Sequence, residues 1–483
     1  MSQLARLPRC TPEEAGISSS AVTSFLNAVQ ERELGLHSFM LLRHGKVAAE
    51  AWWAPYEPDM PHMMFSISKS FTATAVGLCI EAGLLTVEDT VVSFFPDKRI
   101  PDDDRLKQMR IKHLLTMTTG HKKETIRMID PKEQDWVQTI LHWPIDHEPG
   151  TYYAYNNAAS YLLSAIVQRV TGETVHAYLR PRLYEPLGFA DAEWGTCPAG
   201  ISLGGWGLSI PTEDLLKFGR LYLDGGKWEG KQLIPESWVR EATTYKVDNF
   251  NHDPSGNRPD WIQGYGYQFW VCRHGVYRAE GMLGQFCLVI PEHDAVVAMT
   301  AGTTSAQGML NAVWEHLLPA FRTAPLEADE MGRQELADAA ASLVYPPLAS
   351  GEPASTVHET ADGRRYKLEE GDTGLEAVAL SEDGDDTIVR LWRNGEERII
   401  RSASGRWVEN TGELLPGERT PLLASGCWVQ PGVYSLVTRY VHTPYREVIT
   451  LRFEGDRVAV RLAVPPSSQP VLELEGVLET TTV

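Results

Sequence analysis

The nine residues Thr72-Ala73-Thr74-Ala75-Val76-Gly77-Leu78-Cys79-Ile80 are uncharged and consist of small and apolar side chains. Such a run suits a buried helix. Phe65-Ser66-Ile67-Ser68-Lys69-Ser70-Phe71 stands at its head. In a helix beginning near Ser66, Lys69 follows by three residues and stacks over Ser66 on the same face. Ser66 then lies at the positive end of the helix, where free backbone N–H groups receive developing negative charge. A weak hydroxyl, an adjacent amine and a ready oxyanion donor make a nucleophile site. An ordinary helix start with a solvated lysine has the same spacing, so the motif needs company.

A chain of 483 residues exceeds one compact core, and about two or three domains are expected. Hydrophobic and charged fractions of 43% and 22% are those of a globular protein. The formal charge of −20 repels nucleic acid and anionic membrane, so neither is an expected partner. Six scattered cysteines form no Cys-x-x-Cys pair and no Cys/His cluster at zinc spacing, which predicts reduced, mostly buried thiols and no metal. Met1 to Arg9 contains no apolar h-region, and no apolar run is long enough to span a bilayer. A cytoplasmic enzyme is the resulting expectation.

Thr11-Pro12-Glu13-Glu14 reads as a helix start leading toward Ala21 to Val29. Phe39–Leu42 and Val47–Trp53 flank Arg43-His44-Gly45-Lys46 and predict a hairpin. Lys112 to Gly120 reads as a short helix ended by glycine. After the turn Pro149-Gly150, the polar stretch Thr151 to Asn157 precedes a core helix from Ala158 to Val170, stopped at Thr171-Gly172. Gly204-Gly205-Trp206-Gly207-Leu208 is a turn before a helix from Pro211 to Asp224. Tyr265–Trp270, Gln285–Ile290 and Ala295–Thr300 are strand-like, the last two joined by the turn Pro291–Asp294. Leu310–Leu318 is a final helix. This order predicts an α+β layer structure, an antiparallel sheet flanked by helices plus an all-helical region, with first and last segments sharing the sheet.

Composition changes after the Ala-rich helix Arg333–Leu343 and Tyr345-Pro346-Pro347. Beyond it, turns alternate with short strands: Tyr366–Leu368, Glu376–Leu380, Thr387–Trp392, Val448–Phe453 and Val458–Leu462. Residues 1–345 and 346–483 are therefore read as two domains, the second a small β-rich barrel or sandwich. Asp383-Gly384-Asp385-Asp386 lacks EF-hand spacing and is read as a hairpin turn.

Ser66-Ile67-Ser68-Lys69 is matched downstream by Tyr155-Asn156-Asn157, a Tyr-x-Asn at a loop before a helix. In order and separation the two motifs resemble those of the penicilloyl-serine hydrolases, the serine β-lactamase-related and penicillin-binding-protein-like superfamily. His113-Leu114-Leu115-Thr116, Pro149-Gly150-Thr151, Leu183 to Gly188, Pro211 to Leu215 and Gly281-Met282-Leu283-Gly284-Gln285 extend the resemblance over roughly residues 10 to 320. The likeness is to its class C β-lactamase, D,D-peptidase and family VIII esterase branch.

The resemblance implies that Ser66 is the acylated nucleophile, that Lys69 lowers the barrier to its deprotonation, and that Tyr155 is base and then acid. A phenol near pKa ~10 needs the cation of Lys69 beside it for that role. Asn157 is implied to orient Lys69 and meet the substrate carbonyl. The backbone N–H groups of Ser66 and of Gln285, after Gly284, are implied as the oxyanion hole. Met282 stands where the family usually has Lys, His or Trp, which argues against substrates held by a carboxylate and for esters or neutral amides. Trp206, with Trp136, Trp143, Tyr265, Tyr267 and Trp270, is a candidate lining of an acyl pocket or simply core. No Gly-x-Ser-x-Gly elbow pairs a histidine with a serine.

The expected activity is cofactor-free hydrolysis of a small ester or amide through an acyl-serine. A D-amino-acid-specific peptidase or amidase acting on short peptides is the alternative within the same chemistry. A binding protein that keeps the fold without turnover is the alternative outside it. For the β domain, cleft shaping, assembly into a homo-oligomer and simple stabilisation are equally compatible with the sequence.

Overall fold

The computed structural model describes residues 6–126, 129–189, 192–349, 361–369, 374–415, 418–466 and 471–479. The start of the N-terminal stretch read above for a leader, Met1–Ala5, lies outside the described residues. The chain divides into two units, the first of residues 1–52, 57–301 and 305–343. The second comprises 53–56, 302–304 and 344–483. No helix among the described residues is long and apolar enough to cross a membrane.

The first unit is built on a six-stranded antiparallel sheet ordered Lys46–Trp52, Leu36–Arg43, Ala295–Ala301, Gln285–Ile290, Tyr277–Gly281, Trp270–Val271. The first two strands are the expected hairpin. His44 and Gly45 at its tip have φ of 49° and 74°, the left-handed pair that a two-residue type I′ turn requires. Leu36–Arg43 is buried along its whole length because Ala295–Ala301 pairs on its other side, Phe39 opposite Met299 and Leu41 opposite Val297. Helix Ser19–Glu31 stacks Phe25 on Phe39 at 4.7 Å. Helix Thr212–Leu223 comes so near the sheet that a Cβ on Gly219 would meet Val296 at 2.5 Å. Early and late segments of this unit thus meet in one sheet, with helices Ser19–Glu31 and Thr212–Leu223 packed on it.

The nucleophile segment enters this layer as a 3₁₀ turn, Phe65–Ile67, running into helix Ser68–Glu81. Nearly every residue from Ser68 to Cys79 is buried. Phe71 stacks on Phe218 at 3.9 Å, and Gly77 admits Trp238 so closely that a Cβ would lie 2.4 Å from its ring. The absence of charge from Thr72 to Ile80 is explained by this burial.

Three local expectations are corrected. Thr11 and Glu14 exchange hydrogen bonds, but only a turn follows. Gly16, at φ 70°, passes against the Arg322 and Ala324 carbonyls, so the chain bends there and Ser18 caps the helix instead. The helix begun at Ile111 ends at Leu115, before Gly120, with Met117 in the left-handed region at φ 58°. Tyr265–Gln268 forms no strand beyond isolated bridges. Gln268 (φ 62°) is pulled into a turn, its N–H donating to Leu115 O and its carbonyl accepting from Ser70 Oγ.

The second unit is a ten-stranded antiparallel near-barrel. Its spatial order begins at Glu396–Ser402 and ends at Val408–Leu415, two strands consecutive in the chain. Asn410 links them, accepting from Arg401 N and donating to Arg401 O, each at 2.8 Å. Strand Leu472–Leu478 joins the halves by pairing with both Arg457–Ala463 and Arg365–Leu368. Tyr366, Leu380, Val389, Leu436, Leu451 and Val458 belong to its apolar core. Asp383 and Asp386 end the paired strands of a hairpin and bind Arg401.

Candidate active site

Ser66 is half-buried at the mouth of a cleft of about 620 Å³ in the first unit. Lys69, one helical turn on, is 1% exposed. Its Nζ lies 3.0 Å from Ser66 Oγ, donates to Gly205 O at 2.7 Å and donates to Asn157 Oδ1. Two of these partners are carbonyl oxygens, which only accept, and the third is a hydroxyl, which also donates. An ammonium fills this set with three N–H bonds, and a neutral amine fills it too, giving N–H to Asn157 and Gly205 while its lone pair takes the Ser66 hydroxyl proton. Burial pushes Lys69 down to about 7, against the opposing charge of Glu124.

Tyr155 comes from the loop before helix Asn157–Thr171, whose first turn Asn156 caps by accepting from Ala158 N. Its ring lies 4.9 Å from Lys69 Nζ and stacks on Trp270 at 5.5 Å. Burial drives its phenol well above the ordinary range; a hydrogen bond with Ser66 opposes this, while Glu280 and Glu124 reinforce it. These directions run against the expectation that a Lys69 cation holds Tyr155 as a ready base. Burial depletes the charge on the amine and keeps the phenol protonated.

Asn157 reaches Lys69 as expected and lines the cleft, and its Nδ2 donates to Glu124 Oε2 at 2.5 Å. Gly284 and Gln285 do not line the cleft. Gln285 is fully buried in the sheet opposite Gly281, and its Nε2 donates to Met282 O and Ala301 O. Gly281 lines the cleft with Ser66 and is packed so tightly that a Cβ would sit 2.2 Å from Met64 O. Met282 follows it and lines the cleft with Ser66. Trp206 also lies off the cleft; its carbonyl accepts from Trp194 Nε1, and its neighbour Gly205 is the partner of Lys69.

Other residues bring charge to the cleft. Lys122, Lys123 and Arg258 bring exposed positive charge, so cations reach this cleft from loops although Met282 supplies none. Glu280 is pinned by Arg278 at 2.7 Å and by Trp261 Nε1 at 2.9 Å. Arg278 is itself fully buried, its guanidinium 4.4 Å from the Trp261 ring centre. His252 is pushed down to about 4 by burial and by Arg258 and Arg278. Its imidazole is neutral at physiological pH. The alternation Tyr277-Arg278-Ala279-Glu280 was the one available signal for this group, because residues of one strand parity share a face. Among the described residues no group of three or more His, Cys, Asp or Glu is placed to hold a metal ion.

Comparison with known proteins agrees with this architecture. The 6-aminohexanoate-dimer hydrolase of Paenarthrobacter ureafaciens is 26% identical over 322 residues, covering 61% of this chain and 80% of that protein. The lovastatin esterase of Penicillium rubens is 25% identical over 167 residues, 29% of this chain and 41% of the esterase, so that match spans less than half of the relative. In fold, the chain is similar to the crystal structure of SurE with D-Leu, at a TM-score of 0.52 and 18% identity, over 88% of this chain and 97% of that one. A model of the Beta-lactamase family matches residues 28–317. That span is more than half of the chain and contains every residue named in the cleft, and the chain belongs to the Beta-lactamase family.

Proposed function

We propose that the protein is a serine hydrolase that cleaves small carboxylic esters or amides through an acyl-Ser66 intermediate. The observation that carries this reading is the Lys69 amine, 3.0 Å from Ser66 Oγ with carbonyl oxygens as its other partners. Neutral Lys69 accepts the Ser66 proton as Oγ attacks the substrate carbonyl. The backbone N–H groups of Ser66 and Met282 are the candidate donors to the resulting oxyanion. Tyr155, protonated and bonded to Ser66, gives its proton to the leaving group as the tetrahedral adduct collapses, and the Lys69 ammonium then restores the phenol. Net, the serine proton travels to the leaving alcohol or amine. Water cleaves the acyl-enzyme by the same steps in reverse. The relatives named as a 6-aminohexanoate-dimer hydrolase and a lovastatin esterase support a small-molecule hydrolase reading.

The test is intact-protein mass after exposure to a fluorophosphonate, with turnover of p-nitrophenyl esters measured in parallel. One adduct is expected, absent in Ser66→Ala, with ester turnover lost by at least ~10³-fold. Acylation should rise with pH through about 7, where Lys69 becomes neutral. An adduct that persists in Ser66→Ala, or no adduct and no turnover, rejects the reading.

A further inference from the structure

Glu124 stands in the loop before Ile126, half-buried, and carries more hydrogen bonds than any surface carboxylate needs. Its Oε1 accepts from Thr125 N and Ile126 N, each at 2.9 Å, and from Asn157 N at 3.2 Å. Its Oε2 accepts from Asn157 N at 3.0 Å and Asn157 Nδ2 at 2.5 Å. Four N–H groups thus converge on one carboxylate, an arrangement that suits an ionised, acceptor-only side chain. Part of this is structural, since Asn157 N is a free donor at the start of a helix.

The amide contact has a consequence for Lys69. With Nδ2 held by Glu124, Asn157 Oδ1 faces the amine. The flipped amide would set its NH₂ against the Lys69 donors and its oxygen against the carboxylate. We propose that Glu124 is the positioning residue of this site, locking the Asn157 amide toward Lys69 and, through its negative charge, governing how readily Lys69 becomes the base for Ser66. The inference rests on the serine-hydrolase reading above.

The surroundings of Lys69 isolate this effect. Its own helix and the preceding turn present Ser66. The 204–207 loop presents the uncharged Gly205 carbonyl. The Asn157 helix and its loop present Asn157 and the protonated Tyr155. From the 119–126 loop comes Glu124, the charge that acts on Lys69 against burial. Glu280 and Arg278, from strand Tyr277–Gly281, act on Tyr155, whose proton affinity Glu124 raises as well. Removing the Glu124 charge therefore lowers the proton affinity of Lys69 further.

The experiment is the rate of Ser66 phosphonylation by a fluorophosphonate, read by intact mass as a function of pH, in the wild type, Glu124→Gln and Glu124→Asp. For Glu124→Gln the acid limb should move to lower pH, with the plateau reduced ~10- to 100-fold by misalignment of the amine. Glu124→Asp, which keeps the charge on a shorter arm, should retain the wild-type limb with a reduced plateau. An unmoved limb in Glu124→Gln, or one moved to higher pH, overturns the proposal whatever the plateau does. If Glu124→Gln does not fold, Glu124→Asp decides, and an undiminished plateau overturns it. A labelled wild type with those results rejects the role of Glu124 alone. A wild type that takes no label rejects the hydrolase reading and this inference with it.

Discussion

Lys69 is held in its functional state by the same burial that makes it a liability. An ammonium moved from water into a site 1% exposed is disfavoured, so its pKa falls from 10.5 in the unfolded chain to about 7 in the fold. Between those values the unfolded chain binds more protons, and the stability attributable to this group rises with pH across that window. Below about 7 the destabilisation is present in full. Replacing Lys69 with methionine, which fills similar volume without a charge, should abolish fluorophosphonate labelling and raise the melting temperature. The gain should be largest in mildly acidic buffer and shrink as pH approaches 10. Thermal denaturation of both proteins across that range checks it, and a gain that grows with pH would contradict the assignment.

At the scale of elements, three helices beside the site meet at one residue that no local pattern announces. Gln268 donates through Nε2 to Leu114 O and Leu115 O and accepts from Ser160 Oγ at 2.6 Å. Its backbone carbonyl accepts from Ser70 Oγ on the nucleophile helix. A residue whose β-rich neighbours suggest a strand is drawn instead into a left-handed turn, because three helices need their inner polar groups paired. Truncating Gln268 to alanine leaves those buried groups without it, at ~1–3 kcal/mol for each unpaired group. A lower urea midpoint with an unchanged slope is expected, as is slower acylation from a loosened Ser66 turn. An unchanged midpoint would show that water replaces the amide. The same competition explains Thr11-Pro12, a sound capping pattern overruled by Gly16 meeting the 322–324 backbone. Where tertiary contacts agree with the local signal, as at the His44-Gly45 turn, whose His44 N–H donates to Asp294 O, the strands follow it.

Over the whole molecule, stability rests on packing without covalent cross-links. All six cysteines are free, and all but Cys10 are buried. Burial raises the thiols of Cys79 and Cys272 to about 11 and that of Cys287 to about 12, which keeps them protonated and inert. Titration with a thiol reagent should therefore find Cys10 reacting first in the native protein and all six after denaturation. A reductant should leave the melting temperature unchanged. Rapid reaction of several thiols in the native state would contradict this packing.

The sequence by itself determined the helix that Ser66 precedes and Lys69 begins, the Tyr155–Asn157 loop before its own helix, the hairpin, strands Gln285–Ile290 and Ala295–Ala301, and five strands of the second unit. These follow from spacing and side-chain character within a few residues, where geometry is nearly independent of the rest of the chain. Tyr277–Gly281, the four strands from Glu396 to Tyr440 and Leu472–Leu478 went unread. Only the tertiary structure decided the protonation of Lys69 and Tyr155, because burial by distant segments sets it. It alone brought Glu124 to Asn157, 33 residues away, and gathered Arg258, Trp261, Trp270 and Glu280 around one cleft. It also set Met282 rather than Gln285 at the cleft wall, since Gly281 pairs with Gln285 across a turn that is left-handed at Leu283 and Gly284. Charge and proton affinity act through space, and the distances that control them exist only once the chain has folded.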